Sequence, residues 1–88
     1  MRINVILDPD TGPAEVLELG LLAERLGIHR VWASNYPSSR DPFLALAPLA
    51  LQSRRIRLGP LVITPWEQHP LKTSKSILGL AELSGGRA

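Results

Sequence analysis

Val31-Trp32-Ala33-Ser34, followed seven residues after Ser34 by Asp41-Pro42-Phe43, is the stretch that decides the fold. The first part is a short apolar run with strand character. The second reads as a helix start, because proline's fixed φ suits the first helical position, where its missing N–H costs nothing. Asp41 in front of it is a favourable N-cap. The arrangement recurs on both sides: Gly12-Pro13 follows a strand-like run from Ile3 to Leu7, and His69-Pro70 follows one from Ile56 to Thr64. Pro13, Pro42 and Pro70 are spaced 29 and 28 residues apart, a period typical of repeated supersecondary units. His69 is a poor cap by type, so the third start rests on Pro70.

Helical patterns follow each start. Val16, Leu19, Ala23 and Leu26 share one face, widened by Leu17 and Leu22, with Glu15, Glu18, Glu24 and Arg25 opposite. Gly27 is placed as a left-handed cap, with Ile28 folding back on the last turn. Leu71, Ser74, Leu78 and Ala81 form the expected stripe of the third helix, which stops at Ser84-Gly85-Gly86. The second helix is apolar nearly all round (Phe43, Leu44, Leu46, Ala47, Ala50, Leu51), which predicts burial on more than one side. Pro48 inside it predicts a kink or a break.

Three successive strand–helix units imply an α/β fold with a parallel sheet and right-handed crossovers. An eight-unit barrel of ~250 residues has roughly 31 residues per unit. The chain therefore matches the first three βα units of a (β/α)8 TIM-type barrel, read as one unit over residues 1–88. A doubly wound Rossmann sheet is the alternative, although Asp8-Pro9-Asp10-Thr11-Gly12 stands where its G-x-G-x-x-G turn would be. Periodicity leaves both open.

Composition narrows the class. Eighty-eight residues allow one small domain or a piece of a larger one, and 44% hydrophobic with 20% charged residues is a globular balance. With no cysteine, disulfide-stapled modules and thiolate zinc sites are excluded. A net charge of +2, scattered along the chain, does not point to nucleic acid or to an anionic membrane. No run approaches the ~18 apolar residues of a membrane span, and the amino terminus enters a strand pattern with no signal-peptide core. A soluble, cytoplasmic protein is expected.

In either parallel architecture, ligands bind at the loops leaving the carboxyl ends of the strands. These are Asp8 to Gly12, Asn35 to Asp41 and Thr64 to His69, where Asn35, Tyr36, Ser38, Ser39, Arg40, Thr64, Trp66, Glu67, Gln68 and His69 concentrate. Arg40 can grip an anionic group or pair with Asp41. Trp66 can stack on a planar ligand or cover the barrel mouth. His69 can transfer protons or satisfy a helix amine end, and Asp8 and Asp10 can bind a metal or shape a turn; no metal is expected. Arg54, Arg55 and Arg57 read as solvent-facing residues of the opposite rim. Gly59 and Pro60 interrupt the third strand, which predicts a bulge between Gly59 and Thr64 that offers a backbone surface to a flat ring.

Together these residues resemble the luciferase-like superfamily of flavin- and deazaflavin-dependent oxidoreductases. The resemblance is carried by Leu22-Ala23-Glu24-Arg25-Leu26-Gly27, Val31-Trp32-Ala33-Ser34, Arg40-Asp41-Pro42-Phe43, Ile56-Arg57-Leu58-Gly59-Pro60, His69-Pro70 and the closing Leu80 to Ala88 segment, in that order and spacing. It implies a (β/α)8 barrel of about three hundred residues, compare, that binds FMN or a deazaflavin coenzyme (F-420 type) and performs hydride transfer or monooxygenation on a small organic substrate. Ser38-Ser39-Arg40-Asp41-Pro42 and Gly59-Pro60 look closest to the deazaflavin branch. The resemblance puts Asn35 and Tyr36 at the ring and substrate pocket and places a non-prolyl cis peptide near Leu61-Val62, behind the ring. Joined with the rim residues read above, Asn35, Leu61, Val62 and Thr64 are expected at the cofactor and Tyr36, Arg40 and Trp66 at the substrate. Without the later strands to support the cis form, a trans bond is expected at Leu61-Val62.

The chain departs from the family at Asn35-Tyr36, where an acidic residue followed by histidine is common. An amide cannot replace their acid–base role. Three strands also leave both sheet edges unpaired, so self-association, or docking to the rest of a barrel, is expected. The alternative function is a non-catalytic βα assembly or binding module.

Overall fold

All three proline-led segments are helices, and each proline opens its helix. In the computed structural model, residues 2–36, 40–64 and 66–88 are described. They form β1 (Asn4–Leu7), α1 (Pro13–Arg25), β2 (Arg30–Ser34), α2 (Pro42–Gln52), β3 (Arg57–Leu61) and α3 (Pro70–Ser84). Asp41 caps α2 by accepting from the Phe43 amide at 2.9 Å. His69 proves a better cap than its type suggests: its Nδ1 accepts from the Leu71 amide at 3.0 Å. Gly27 (φ 81°) ends the turn after α1, and the Ile28 amide returns to the Ala23 carbonyl at 3.0 Å.

The sheet is parallel in the order β1-β2-β3, with Asn4, Arg30 and Arg57 forming one row and Ile6, Trp32 and Gly59 the next. The helices pack side by side, α1 on α2 and α2 on α3. Sequential strand order with all helices on one face is the barrel arrangement; a doubly wound sheet reverses its order and covers both faces. Leu7, Val31, Ala33 and Leu58 point to the helices, where Val16, Leu46, Leu49 and Ile56 complete the core. α2 is enclosed by α1, α3 and the sheet, as its apolar composition predicts, while Leu44 and Leu51 remain exposed.

Several expectations are corrected. Of the kink or break expected at Pro48, the break does not occur: α2 continues from Pro42 to Gln52. The lost bond would have gone to the carbonyl of Leu44, on the side of the helix turned to water, so breaking it does not leave a buried orphan. The interface of α1 is centred on Val16, Gly20 and Ala23, and Leu19, Leu22 and Leu26 are exposed along a groove beside β1. The glycine is the reason: it lets α1 approach Leu49 so closely that the helix turns its small residues inward. In α3 the inward residues are Ile77, Leu80 and Ser84, with Thr73 and Ser76 half-buried, whereas Leu71 and Leu78 face out.

There is no bulge at Gly59 or Pro60. Pairing is one-to-one from Arg57 to Leu61. The Arg57 amide donates to His29 in front of β2, and the Leu61 carbonyl accepts from Asn35 behind it, whereas the Leu58 amide donates away from β2, to the Arg87 carbonyl. Pro60 shares the outward phase of Leu58, so its missing N–H interrupts nothing in the ladder to β2. The strand leaves its ladder only after Leu61, at a cis Leu61–Val62 peptide, the form the resemblance places there and not the trans form expected of this chain.

Two charged groups fasten the helix side. Glu24 Oε2 accepts from the amides of Arg54, Arg55 and Ile56 at 3.0, 2.7 and 2.9 Å. Partial burial pushes its carboxyl up, but these three amides and the nearby Arg55 charge outweigh that and leave it below its usual value. The Arg87 guanidinium donates to the carbonyls of Ala50, Ser53, Ile56 and Ser84 and to the Ser53 hydroxyl. No helix among the described residues is long and apolar enough to cross a membrane.

Candidate functional site

Asn35 stands at the carboxyl end of β2, where its backbone and side chain both turn to the segment leaving β3. Its amide donates to the Leu61 carbonyl at 2.9 Å, and Nδ2 donates to the Val62 carbonyl at 2.9 Å. The same nitrogen reaches both Glu67 oxygens at 2.9 and 2.7 Å. Nδ2 carries two protons, so one serves Val62 and the other is shared by the carboxylate. One residue thus ties the ends of two strands to the loop before α3.

Above this junction is a cavity of about 200 Å³ lined by Asn35, Tyr36, Arg40, Asp41, Pro42, Phe43, Ile63, Glu67 and Gln68. The Arg40 Nη1 donates to the Asp10 carbonyl at 2.8 Å, which brings the first rim loop to the second. Asp8 shapes its own turn, its Oδ1 accepting from the Asp10 amide at 2.9 Å. Among the described residues no group of three or more His, Asp or Glu could hold a metal ion.

Of the sequence candidates, the fold gathers Asn35, Tyr36 and Arg40 around this cavity. Leu61 and Val62, at and just after the end of β3, do not line it and are tied to it through Asn35; Val62 is exposed. Thr64 borders a separate hollow with Pro70, Thr73 and Ser74. Trp66 is 92% exposed and covers nothing. Gly59 does not open a ring surface: a Cβ there would come within 3.2 Å of Trp32 Cζ3, so Trp32 already fills that space. Ser38 and Ser39 lie outside the described residues. Sequence reasoning placed Glu67 on this rim without a role; its tie to Asn35 spans 32 positions and has no local signature.

Apolar surface from Pro42, Phe43 and Ile63, a wall of hydrogen-bonding side chains and the Arg40 cation suit one end of a flat polar ring. The class defined is a parallel-barrel protein with its binding rim at the carboxyl ends of the strands. Within that class the chain belongs to the luciferase-like monooxygenase family, whose sequence profile matches residues 2–88.

Over 88 residues the chain is 34% identical to the 5,10-methylenetetrahydromethanopterin reductase of Archaeoglobus fulgidus, covering all of this chain and 26% of that protein. It is 32% identical over 78 residues to the oxygenase component of a flavin-dependent trigonelline monooxygenase from Acinetobacter baylyi, covering 83% of this chain and 22% of that one. Among solved structures it matches the coenzyme F420 dependent tetrahydromethanopterin reductase of Methanopyrus kandleri with a TM-score of 0.93 and 31% identity, over 99% of this chain and 25% of that one. The chain therefore spans about a quarter of the length of these relatives.

Proposed function

We propose that residues 1–88 form the first three βα units of an oxidoreductase barrel that uses a deazaflavin coenzyme or FMN on a small organic substrate. The observation that carries the reading is that Asn35, in the wall of the rim cavity, joins Leu61, Val62 and Glu67. The solved coenzyme F420 dependent reductase, matched over 99% of this chain, favours the deazaflavin. When bound, the cofactor supplies hydride or oxygen chemistry, and the protein orients and shields it. Asn35, Leu61 and Val62 hold the ring: the Nδ2 protons of Asn35 are committed, so it addresses the ring through Oδ1. Tyr36 and Arg40 face the substrate. None of Leu61, Val62, Thr64 and Trp66 lines the cavity, but Leu61 and Val62 are hydrogen-bonded to Asn35, which does; Thr64 and Trp66 have no such tie and are the weaker members of the set. Glu67, a carboxylate of the cavity wall held by Asn35, takes the proton-handling place that an amide at position 35 cannot fill, while Asp41, the other carboxylate of the wall, caps α2.

The later strands complete the pocket, so the 88-residue chain alone is inactive. It associates with itself or with the rest of a barrel. The test is a chimera in which this chain replaces the matching quarter of the Methanopyrus kandleri reductase. Coenzyme F420 binding within about tenfold of the parent, roughly 1.4 kcal/mol, is expected. A folded chimera that binds neither coenzyme F420 nor FMN overturns the reading and favours the non-catalytic module.

A further inference from the structure

The face of the sheet opposite the helices carries a row that the rim site does not use. Asn4, Arg30 and Arg57 are register partners across the three strands. Adjacent strands are about 4.8 Å apart, so two guanidinium side chains start side by side from one face. Arg30 lies over the Trp32 ring, 4.8 Å from its centre, and its Nε is buried with no hydrogen-bond partner. Desolvation and the charges of Arg2, Arg30 and Arg57 lower the pKa of neighbouring His29. Glu24, in the last turn of α1, is turned to the backbone amides of Arg54, Arg55 and Ile56. Stacked, crowded cations with an orphaned donor call for an oxyanion.

We propose that the Asn4–Arg30–Arg57 row is a carboxylate seat, filled by an acidic side chain on a β-strand of the polypeptide that covers this sheet face. The next row favours a strand over a free ion. Ile6 is 60% exposed beside Trp32, two residues along from Asn4 and Arg30. A strand with a carboxylate against the arginines places an apolar side chain against Ile6 two residues later. A small hydrated anion would leave Ile6 uncovered. A second copy would set arginine row against arginine row. The inference rests on the barrel reading above, since the relatives contain three further quarters of chain to provide such a strand.

The test needs no cofactor, so its failure is distinct from failure of the proposed function. In a Trp66→Phe background, Trp32 is the single tryptophan and reports on the Arg30 stack. Its emission is followed while a short valine–threonine peptide with one central glutamate is added at constant ionic strength. The glutamine version of the peptide, acetate and inorganic phosphate are the other probes. A saturable change is expected, with the glutamate peptide about tenfold tighter than the glutamine peptide or acetate. Arg57→Gln, at an exposed position that spares the fold, and Arg30→Met weaken it several-fold, and Arg54→Gln leaves it unchanged. Equal binding of the two peptides, or no effect of either seat substitution, overturns the proposal. Phosphate binding about tenfold tighter than the glutamate peptide makes the occupant a free anion and overturns it also. So does tighter self-association of Arg57→Gln in sedimentation, which would put a second copy on this face.

Discussion

Gly20→Ala should destabilise the fold, although helix propensity alone predicts the opposite. Replacing an interior helical glycine by alanine is worth about 1 kcal/mol in the helix's favour. At Gly20, however, the new Cβ would collide with Leu49 Cδ2, come within 2.6 Å of Cδ1 and within 3.0 Å of Cγ. Leu49 is wholly buried, with no room to turn away. Overpacking of this kind costs about 1–3 kcal/mol, so the net loss is about 1 kcal/mol or somewhat more. Gly79 in α3 is the control, because a Cβ there meets nothing within 4 Å. Gly79→Ala should stabilise by about 0.5–1 kcal/mol. Urea denaturation at fixed chain concentration reads both; with a slope near 1 kcal/mol per molar, the midpoints should separate by about 1.5–2 M. In the double variant with Leu49→Ala, the two losses should sum to less than their separate values by about 1 kcal/mol or more. Gly20→Ala as stable as Gly79→Ala, or strict additivity with Leu49→Ala, would refute the close-approach argument.

Three further outcomes are expected. Glu24→Gln should cost about 1–2 kcal/mol at neutral pH. Because the folded carboxyl lies below its ordinary 4.5, that stabilisation is complete above this value and fades as pH falls through the lower folded value; denaturation across the acidic range checks it, and a pH-independent gap contradicts it. Arg87→Lys should lose about 2 kcal/mol, since an ammonium cannot span the acceptors that the guanidinium reaches, and an unchanged melting curve would show the latch is dispensable. Asn35→Asp sets a second carboxylate against Glu67 and should cost about 1 kcal/mol at neutral pH, recovering in acid; a loss equal at both pH values, read by urea midpoints, means the pair does not form in solution.

The three-unit order, the parallel class, the helix starts and the rim loops were legible in the sequence because they depend on local chemistry: proline at the first helical turn, Asp41 before it, glycine after the last. The same locality exposed Asn35, Tyr36 and Arg40 as rim residues. The facing of the helices was not legible. Leucines at 19, 22, 26, 71 and 78 fit an inward stripe as well as any, and only the approach permitted by Gly20, and the placing of α2 between two neighbours, turned them outward. Pro60 read as a break because its outward phase in the ladder depends on which side β2 lies. The link from Asn35 to Glu67 and the row from Asn4 through Arg30 to Arg57 join residues about thirty positions apart. Strand register decides the row, and the path of the loop from β3 to α3 decides the link; both are properties of the assembled sheet and not of any one segment.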